Sequence, residues 1–540
     1  MRVQVPPSAP FPRADHPGDG RAWESRSAAK GNPHGHPSDD RAQESRNEAK
    51  GNPHVHVVKR FALFLTLLTL TACGLLGDSG PIRVAAIGTL HRNPDRASPP
   101  LSLPDSLLLD AVGQGLVSFS SDGQVEAGLA ERWTVLDDGQ SYIFRLREAI
   151  WPGGQRVRAE DVAAMLRQRI ASGRLRTALR GEFRDVVHIR AMTERVIEIQ
   201  LRRPHPELLE LLAHGDLTLS RNGQGWGPMM PEWTGNMAAL SVRTAAEEGD
   251  GGPVNTAAIT MWGSNSVRAV TQFDEGAVDA VIGGRFEGWP TLTAANIASD
   301  RIVTDPVDGL FGLAVVSSRG IVSDGLGRDA IAMAIDRVRL TRALGATNWT
   351  PRITIRPASA QVQPVYPAWV DYSPDRRRAK GRELVAAWQA RYGGPARPIV
   401  RIAMPDGAGT RILFAWLRTD LGAIGIDARR VPLSGNADLR LIDEVAPTSD
   451  PAWYIRRLDC GHDISCDGDV SALVTAIDEA STPQGRANAI TVAEEAIYRH
   501  AAYIPLATPL RWSLRSDRTS GLRPNARGRH GLYRLRAAPD

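Results

Sequence analysis

The chain has three cysteines, and two of them, Cys460 and Cys466, stand close together in the stretch DCGHDISCDGD. Thiols at this spacing can close a disulfide, or can bind zinc together with His462 between them. Zinc needs four ligands, and no fourth is evident nearby. Closing so short a loop with a disulfide would stabilise the fold by roughly 2 kcal/mol in the chain-entropy model. The overlapping DISCDGD places Asp463, Ser465, Asp467 and Gly468 as in the first half of a calcium loop. The twelfth position is Val474, where such a loop requires Glu, so no calcium site is expected. Two histidine pairs, His34/His36 and His54/His56, have the form of a metal-binding tract. No G-x-S-x-G elbow, H-E-x-x-H, Walker loop or G-x-G-x-x-G after a strand occurs in the chain. The residues therefore point away from catalysis, and neither catalytic residues, a resident metal nor a cofactor is expected.

The third cysteine, Cys73, closes the run KRFALFLTLLTLTACG from Lys59 to Gly74. The apolar part, Phe61 to Ala72, would reach about 18 Å as a helix, against a hydrocarbon core of about 30 Å. Two cations, a short apolar core and small residues are the layout of a secretory signal. The ending LTAC resembles the bacterial lipobox, which is cut before its cysteine. The resemblance implies a signal peptide over 57–72, acylation of Cys73 and a tether over 73–80. The chain would then be a membrane-anchored lipoprotein of the bacterial cell envelope, facing the periplasm. Two or three acyl chains hold a protein stably at a membrane, where one does so only marginally. A buried core helix with an incidental cysteine is the alternative. With Cys73 acylated, Cys460 and Cys466 remain as an even pair in an exported chain, which favours the disulfide over zinc.

Residues 1–56 are rich in Pro, Gly, His and charge. RAWESRSAAKGNPHGH (21–36) recurs as RAQESRNEAKGNPHVH (41–56). A repeat this short buries no core, so the segment reads as disordered or as upstream sequence outside the true protein. We expect translation to begin near Val57 or Val58, which would put the signal at the amino terminus. The first 72 residues carry ten Lys+Arg and seven Asp+Glu, so of the 65 and 60 in the whole chain 55 and 53 remain. This near-neutral balance gives no footing for nucleic acid. Lys380 is the single lysine after Cys73, a bias in composition and not a phosphate-binding signal. The run Arg376-Arg377-Arg378 reads as a solvated helix start.

The elements that must position any site alternate irregularly between strand and helix. SYIFRLR (141–147) follows a turn at Asp138-Gly139 and puts Tyr142, Phe144 and Leu146 on one face. RVIEIQL (195–201) does the same with Ile197, Ile199 and Leu201. AEDVAAMLRQRI (159–170) predicts a helix with Val162, Met165, Leu166 and Ile170 on one stripe and acids in its first turn. A single helix is predicted over 328–344, with Ile331, Ala334, Ile335 and Val338 inward and Gly345 as its stop. Further helices are predicted over 376–394 and 488–500, the second followed by extended chain.

The block AVGQGLVSFSSDGQVEAGLAERWTVLDDGQSYIFRLREAIWPGGQRVRAEDV (111–162) is more specific than its periodicity. It resembles the signature region of the extracellular solute-binding proteins of family 5, the dipeptide, oligopeptide and nickel binders of ABC importers. Gly128-Leu129-Ala130-Glu131, Trp133, Asp138-Gly139, Tyr142, Phe144, Leu146-Arg147, Trp151, Gly154 and Ala159-Glu160-Asp161-Val162 fall in register. Weaker echoes follow in the right order at 223–229, 273–284, 327–340 and 494–509, so the likeness spans about 81–540. It implies an α/β, two-lobed periplasmic-binding-protein-like fold of type II, with an extra subdomain at about 111–218 in the first lobe. Lobe I would cover 81–310, lobe II 311–503, and 504–540 would return to lobe I. The implied function is capture of peptides or similar small solutes in the interlobe cleft and delivery to the transmembrane subunits of an ABC permease, as a monomer. A sensor or chaperone-like binder without a transporter is the alternative, and a lipid-anchored hydrolase a more distant one. In peptide-binding members an aspartate in a late second-lobe loop holds the ligand's amino group. Here Asp443 matches by its distance to the proline, and Asp450, before Pro451, competes with it. Trp453 would line the cleft or pack in the core. Trp226 stands where the family usually has Thr, and Ser317 and Ser318 stand near an asparagine position. Asp443, Asp450, Trp453, Ser317 and Trp226 are taken as candidate ligand-binding positions.

Overall fold

The computed structural model describes residues 80–94, 100–151, 154–173, 175–221, 223, 225–243, 257–346, 349–359, 362–459, 464 and 469–535. Cys73, Cys460, Cys466, His462, the histidine pairs and the 57–72 run lie outside the described residues.

The first sheet has seven strands, with Ile82–Ile87 near its centre between Ala257–Ser264 and Ala280–Arg285, parallel to both. IRVAAI is almost continuously apolar because both of its faces are covered. Val84 and Ala86 face a core with Leu108 and Val112 of the Leu103–Val112 helix. Ala85 faces the opposite core with Ala269 and Val270 of the Ser266–Asp274 helix. That helix starts where the Asn265 side chain accepts from Arg268 N at 2.9 Å. Ile302–Thr304 and Arg511–Arg515 complete one edge of the sheet, antiparallel to each other.

The second sheet has five strands in the order Asp427–Val431, Ile399–Ala403, Leu439–Val445, Gly309–Val315 and Tyr503–Ala507. Gly309–Val315 is buried along its whole length and runs antiparallel to both neighbours. The chain thus passes from the first sheet to the second between Thr304 and Gly309. It passes back between Ala507 and Arg511. Residues 504–507, assigned above to the return segment, pair within the five-stranded sheet.

A four-stranded antiparallel sheet holds Ala130–Leu136, Ser141–Leu146, Val196–Leu201 and Val186–Thr193. Its core joins Tyr142, Phe144, Leu146, Ile197, Ile199 and Leu201 to Val162 and Leu166 of the Ala159–Ala171 helix. The turn expected at Asp138-Gly139 is present, with positive φ at both residues. On the helix, Ala163 is buried where Met165 and Ile170 are only half-buried, so the inward stripe is rotated from the expected one.

The single helix expected over 328–344 is two, Gly325–Ala334 and Arg337–Ala343. The break comes at Asp336, whose side chain accepts from Arg339 N at 3.0 Å and so begins a new helix. Past the break Val338 points outward and is 45% exposed. Pro374–Tyr392 ends on Gly393 in the left-handed conformation, as the glycine pair suggests. Pro483–His500 starts earlier than expected, capped by Thr482.

The 223–229 loop lies against the end of the Leu103–Val112 helix, with Gly227 N donating to Val112 O at 2.9 Å. A Cβ on Gly227 would stand 2.3 Å from Gly113 O and 2.5 Å from Ala111 O, both backbone atoms that cannot swing away. Gly227→Ala is therefore expected to destabilise the protein by about 2 kcal/mol or more. Gly325→Ala, which meets nothing within 4 Å, should stay within about 0.5 kcal/mol of the parent in the same urea-denaturation measurement.

Candidate ligand-binding cleft

Leu439–Val445 lies third in the five-stranded sheet, and its alternation sends Leu439, Leu441 and Asp443 to one side and Arg440, Ile442 and Glu444 to the other. Its C-terminal end borders a cavity of about 740 Å³. Ile87, Ser266 and Gly284 of the first sheet's elements form one wall, and Arg440 to Pro447 another. Ala178 and His214 close a third side, and Arg527 to His530 a fourth. The volume lies in the range of small-molecule pockets.

The two sheets are tied at the cavity by Asp443. Its Oδ1 accepts from Arg511 Nη1 at 2.7 Å and its backbone carbonyl from Arg511 Nη2 at 3.1 Å. Arg285 Nη1 stands 3.8 Å from Oδ2. Arg511 and Arg285 sit opposite each other in the first sheet, and the Trp512 indole donates to Arg285 O at 2.8 Å. Trp512 lies over Gly284, where a Cβ would fall 2.0 Å from the ring. Glu287 lines the same end of the cavity with a buried oxygen that has no partner among the described residues. Burial, and then the neighbouring Asp443 carboxylate, raise the Glu287 pKa above the usual range.

A second set of contacts joins the 446–458 segment to the elements around the four-stranded sheet. Asp450 accepts from Arg456 at 2.7 Å and from Arg486 at 2.8 Å through both oxygens. Arg456 also forks onto Glu182 at 3.0 and 2.6 Å. Burial works to raise Asp450, but Arg456 and Arg486 hold it well below the ordinary carboxylate range. The Trp453 indole donates to Ala178 O at 2.8 Å, and Ser449 N to Glu210 at 3.0 Å. His214 Nε2 meets Pro447 O at 2.9 Å. That geometry requires a proton on Nε2, so the ring donates. Burial, then Arg529 and Arg176, push the His214 pKa down to about 3, so the ring stays neutral.

Of the candidate binding residues, Asp443 alone lines the cavity. Asp450 is 1% exposed and is consumed by two guanidiniums, having also the Ala452 amide as a donor at 3.0 Å. Trp453 is 1% exposed in the core of the neighbouring helices, edge-on to Tyr454. Ser317 accepts from Arg319 N in a loop, next to Val316, which does line the cavity. Trp226 stacks under the Arg147 guanidinium at 5.5 Å, against the core of the four-stranded sheet. Arg285, Glu287, Arg440 and Arg511 line the cavity and had no sequence signal, since arginine is the ordinary cation of this chain. Among the described residues no three His, Cys, Asp or Glu side chains converge to hold a metal ion.

Two sheets joined by two chain crossings, with a cavity where they meet, define a binding protein of the two-lobed periplasmic kind. Residues 124–459 match the family described as bacterial extracellular solute-binding proteins, family 5. The chain belongs to that family. It is 23% identical over 417 residues to the nickel-binding periplasmic protein of Escherichia coli, covering 70% of this chain and 75% of that one. It is 30% identical over 137 residues to the probable deoxycholate-binding periplasmic protein YgiS of Escherichia coli. That match covers 21% of this chain and a quarter of YgiS, 25%. The fold superimposes on Haemophilus influenzae OppA in complex with the peptide RPPGFSPFR with a TM-score of 0.69 at 16% identity. That superposition covers 85% of this chain and 99% of OppA. The fold is the two-lobed, mixed α/β fold of that family.

Arg456→Leu strands Glu182 without a partner in a buried site and is expected to cost about 3–5 kcal/mol; adding Glu182→Leu should recover part of that loss in chemical denaturation. His214 gives a pH signature. The unfolded chain takes a proton near pH 6.5 that the folded site refuses until about pH 3. Stability should therefore fall as pH drops through that window, by up to about 1.4 kcal/mol per pH unit from this group. His214→Gln keeps a donor for Pro447 O and should remove that share of the slope in urea titrations run from pH 7 to pH 4.

Proposed function

We propose that the chain is the solute-binding component of a bacterial ABC importer, which captures a peptide or a small solute of similar size and hands it to a membrane permease. The observation that carries this reading is the cavity of about 740 Å³ walled by residues of both sheets, with just two chain crossings between them. Such a layout lets the walls part and close over a ligand by bending at 304–309 and 507–511. The Arg456–Glu182 and Trp453–Ala178 contacts, which join the 446–458 segment to the elements around the four-stranded sheet, would break on opening and re-form on closure. The lobes expected at 81–310, with the subdomain at 111–218, and at 311–503 would then have their bounds shifted to the crossings, with Gly309–Val315 and Tyr503–Ala507 in lobe II and the return to lobe I from Arg511.

The same reading makes Cys73 the acylated residue of a periplasm-facing lipoprotein, following a signal at 57–72, and Cys460–Cys466 a disulfide. The cavity supports binding over catalysis. His530 is held by Asp305 at 3.1 Å and Asn525 at 3.4 Å, and His214 by Pro447 O. Neither ring has a hydroxyl partner among the described residues, as a nucleophile–base pair would need.

The test is native mass spectrometry of the full chain purified from the bacterium that makes it, followed by denaturation and identification of what is released. One equivalent of a peptide or small organic solute is the expected outcome. Protein that releases nothing, and whose melting temperature no peptide or small-solute panel shifts, would refute the reading.

A further inference from the structure

A second groove lies apart from the cleft. The chain leaves Ile399–Ala403, forms the Ala408–Gly422 helix and returns as Asp427–Val431, the edge strand of the five-stranded sheet. The helix, Arg430 of that strand and Arg397 line a trough of about 570 Å³. Four of its lining residues are arginines, Arg397, Arg411, Arg418 and Arg430, and no aspartate or glutamate lines it. All four are exposed. Arg397, Arg411 and Arg418 form no ion pair among the described residues. Arg430 meets Asp406 at 2.7 Å, but the side chain of that acid is 86% exposed, and a pair so open to water is weak. Past residue 72 the chain has nearly as many acids as cations, so four arginines with no acid among the lining residues are a local excess.

The trough is shaped as well as charged. Arg411, Ala415, Arg418 and Gly422 follow one another at helical spacing along one stripe. Arg411 stands close to the start of the helix, where the dipole disfavours a cation, and the first turn holds no acid to offset it. Packing does not require the glycine, because a Cβ on Gly422 would meet nothing within 4 Å. With Ala415 it keeps the floor low between the arginines, and the half-buried Phe414 ring gives that floor an apolar patch. Arg411 and Arg418 lie about 10 Å apart along the helix axis, so the charge is spread along the trough and suits several anionic groups in a row. A flat bilayer surface meets the rim of a trough before its floor, whereas an extended chain lies in it. Side chains on one side of an extended chain recur about every 7 Å, which lets successive acids reach successive arginines.

We propose that this trough is a docking site for an acidic, extended segment of a partner protein, whose aspartates or glutamates pair with Arg397, Arg411, Arg418 and Arg430. The planar guanidinium takes a carboxylate with two parallel hydrogen bonds, so the match is one of geometry as well as charge. The contact is separate from cargo capture, since no residue of the trough lines the cleft cavity.

The test uses the full chain and a fluorescent, end-blocked octaglutamate that carries a photo-crosslinker. Octaglutamine, inorganic phosphate and phosphatidylcholine vesicles containing phosphatidylglycerol are the comparison probes. Octaglutamate is expected to bind at low ionic strength, to weaken by about tenfold or more between roughly 20 and 200 mM salt, and to crosslink within 397–430. Arg411→Gln combined with Arg418→Gln should weaken it by about tenfold or more. Gly422→Leu, which fills the trough without altering its charge, should weaken it by about threefold or more, and keeps the test open if the double variant fails to fold. The solute released from the cleft should be the same from the parent and both variants, so the solute-binding reading stands or falls on its own test. Octaglutamine bound as tightly as octaglutamate, crosslinks confined to other parts of the chain, or a double variant within about twofold of the parent would overturn the proposal. So would binding of phosphate or of the vesicles that the double variant abolishes while octaglutamate fails to bind, the first making the trough a small-anion site and the second a membrane contact.

Discussion

The cleft depends on one ion pair. Arg511 and Asp443 belong to different sheets, and their contact joins the sheets at the cavity, above the apolar core that both sheets share. Both groups are largely withdrawn from water, so their attraction must offset a large desolvation penalty. It does so through geometry. One nitrogen of the guanidinium takes the carboxylate and another takes the backbone carbonyl of the same residue. Arg511 is the first residue of its strand after the return crossing, so the pair sits beside that crossing. Trp512 follows it in sequence and lies flat against Gly284, a position with no room for a side chain. The charge, the indole and the glycine thus form one unit that sets the floor of the cavity.

The 446–458 segment is held by chemistry of the same kind in a different arrangement. Arg456 meets Glu182, Asp450 and, at 3.8 Å, Asp478, and Asp450 in turn receives both Arg456 and Arg486, so the two groups at the centre of the cluster each have more than one partner. Redundancy of this sort keeps every buried oxygen of Asp450 satisfied. The contacts reach from the 446–458 segment to Glu182, Ala178, Glu210 and His214. They are polar and directional. Polar contacts of this kind lose less on exposure to water than an apolar interface would, because water can replace each partner. That would suit the proposed parting and closing of the cleft.

Much of the fold was legible from local pattern, and little of the site was. The Ser141–Leu146 and Val196–Leu201 strands sit in a sheet buried on one face, so their alternation survives as a direct record of burial. The break between Gly325–Ala334 and Arg337–Ala343 was missed because apolar periodicity runs through it, while the stop depends on a single Asp336 side chain. Asp443 and Asp450 looked alike in sequence, each a short acid in a loop-rich region with a proline beyond. What separates them is which arginines fold against them, and those come from positions 285, 456, 486 and 511. In a chain where arginine is nearly the sole cation, its identity at a position carries no message until distances are known.

The family signature and the cargo chemistry therefore belong to different residues. No described residue of the 111–162 block lines the cavity. Its marks are architectural: Gly128 lies so close to Gly115 that a Cβ would stand 2.5 Å from its carbonyl oxygen, and Tyr142 and Phe144 fill the core of the four-stranded sheet. Such positions serve the scaffold and not the cavity wall, and the scaffold superimposes on that of a peptide-bound protein over 85% of this chain at 16% identity. Likeness in the signature is thus an argument about shape. The cavity wall instead carries Arg440, Asp443 and Glu287, each with a buried side-chain nitrogen or oxygen that has no hydrogen-bond partner among the described residues.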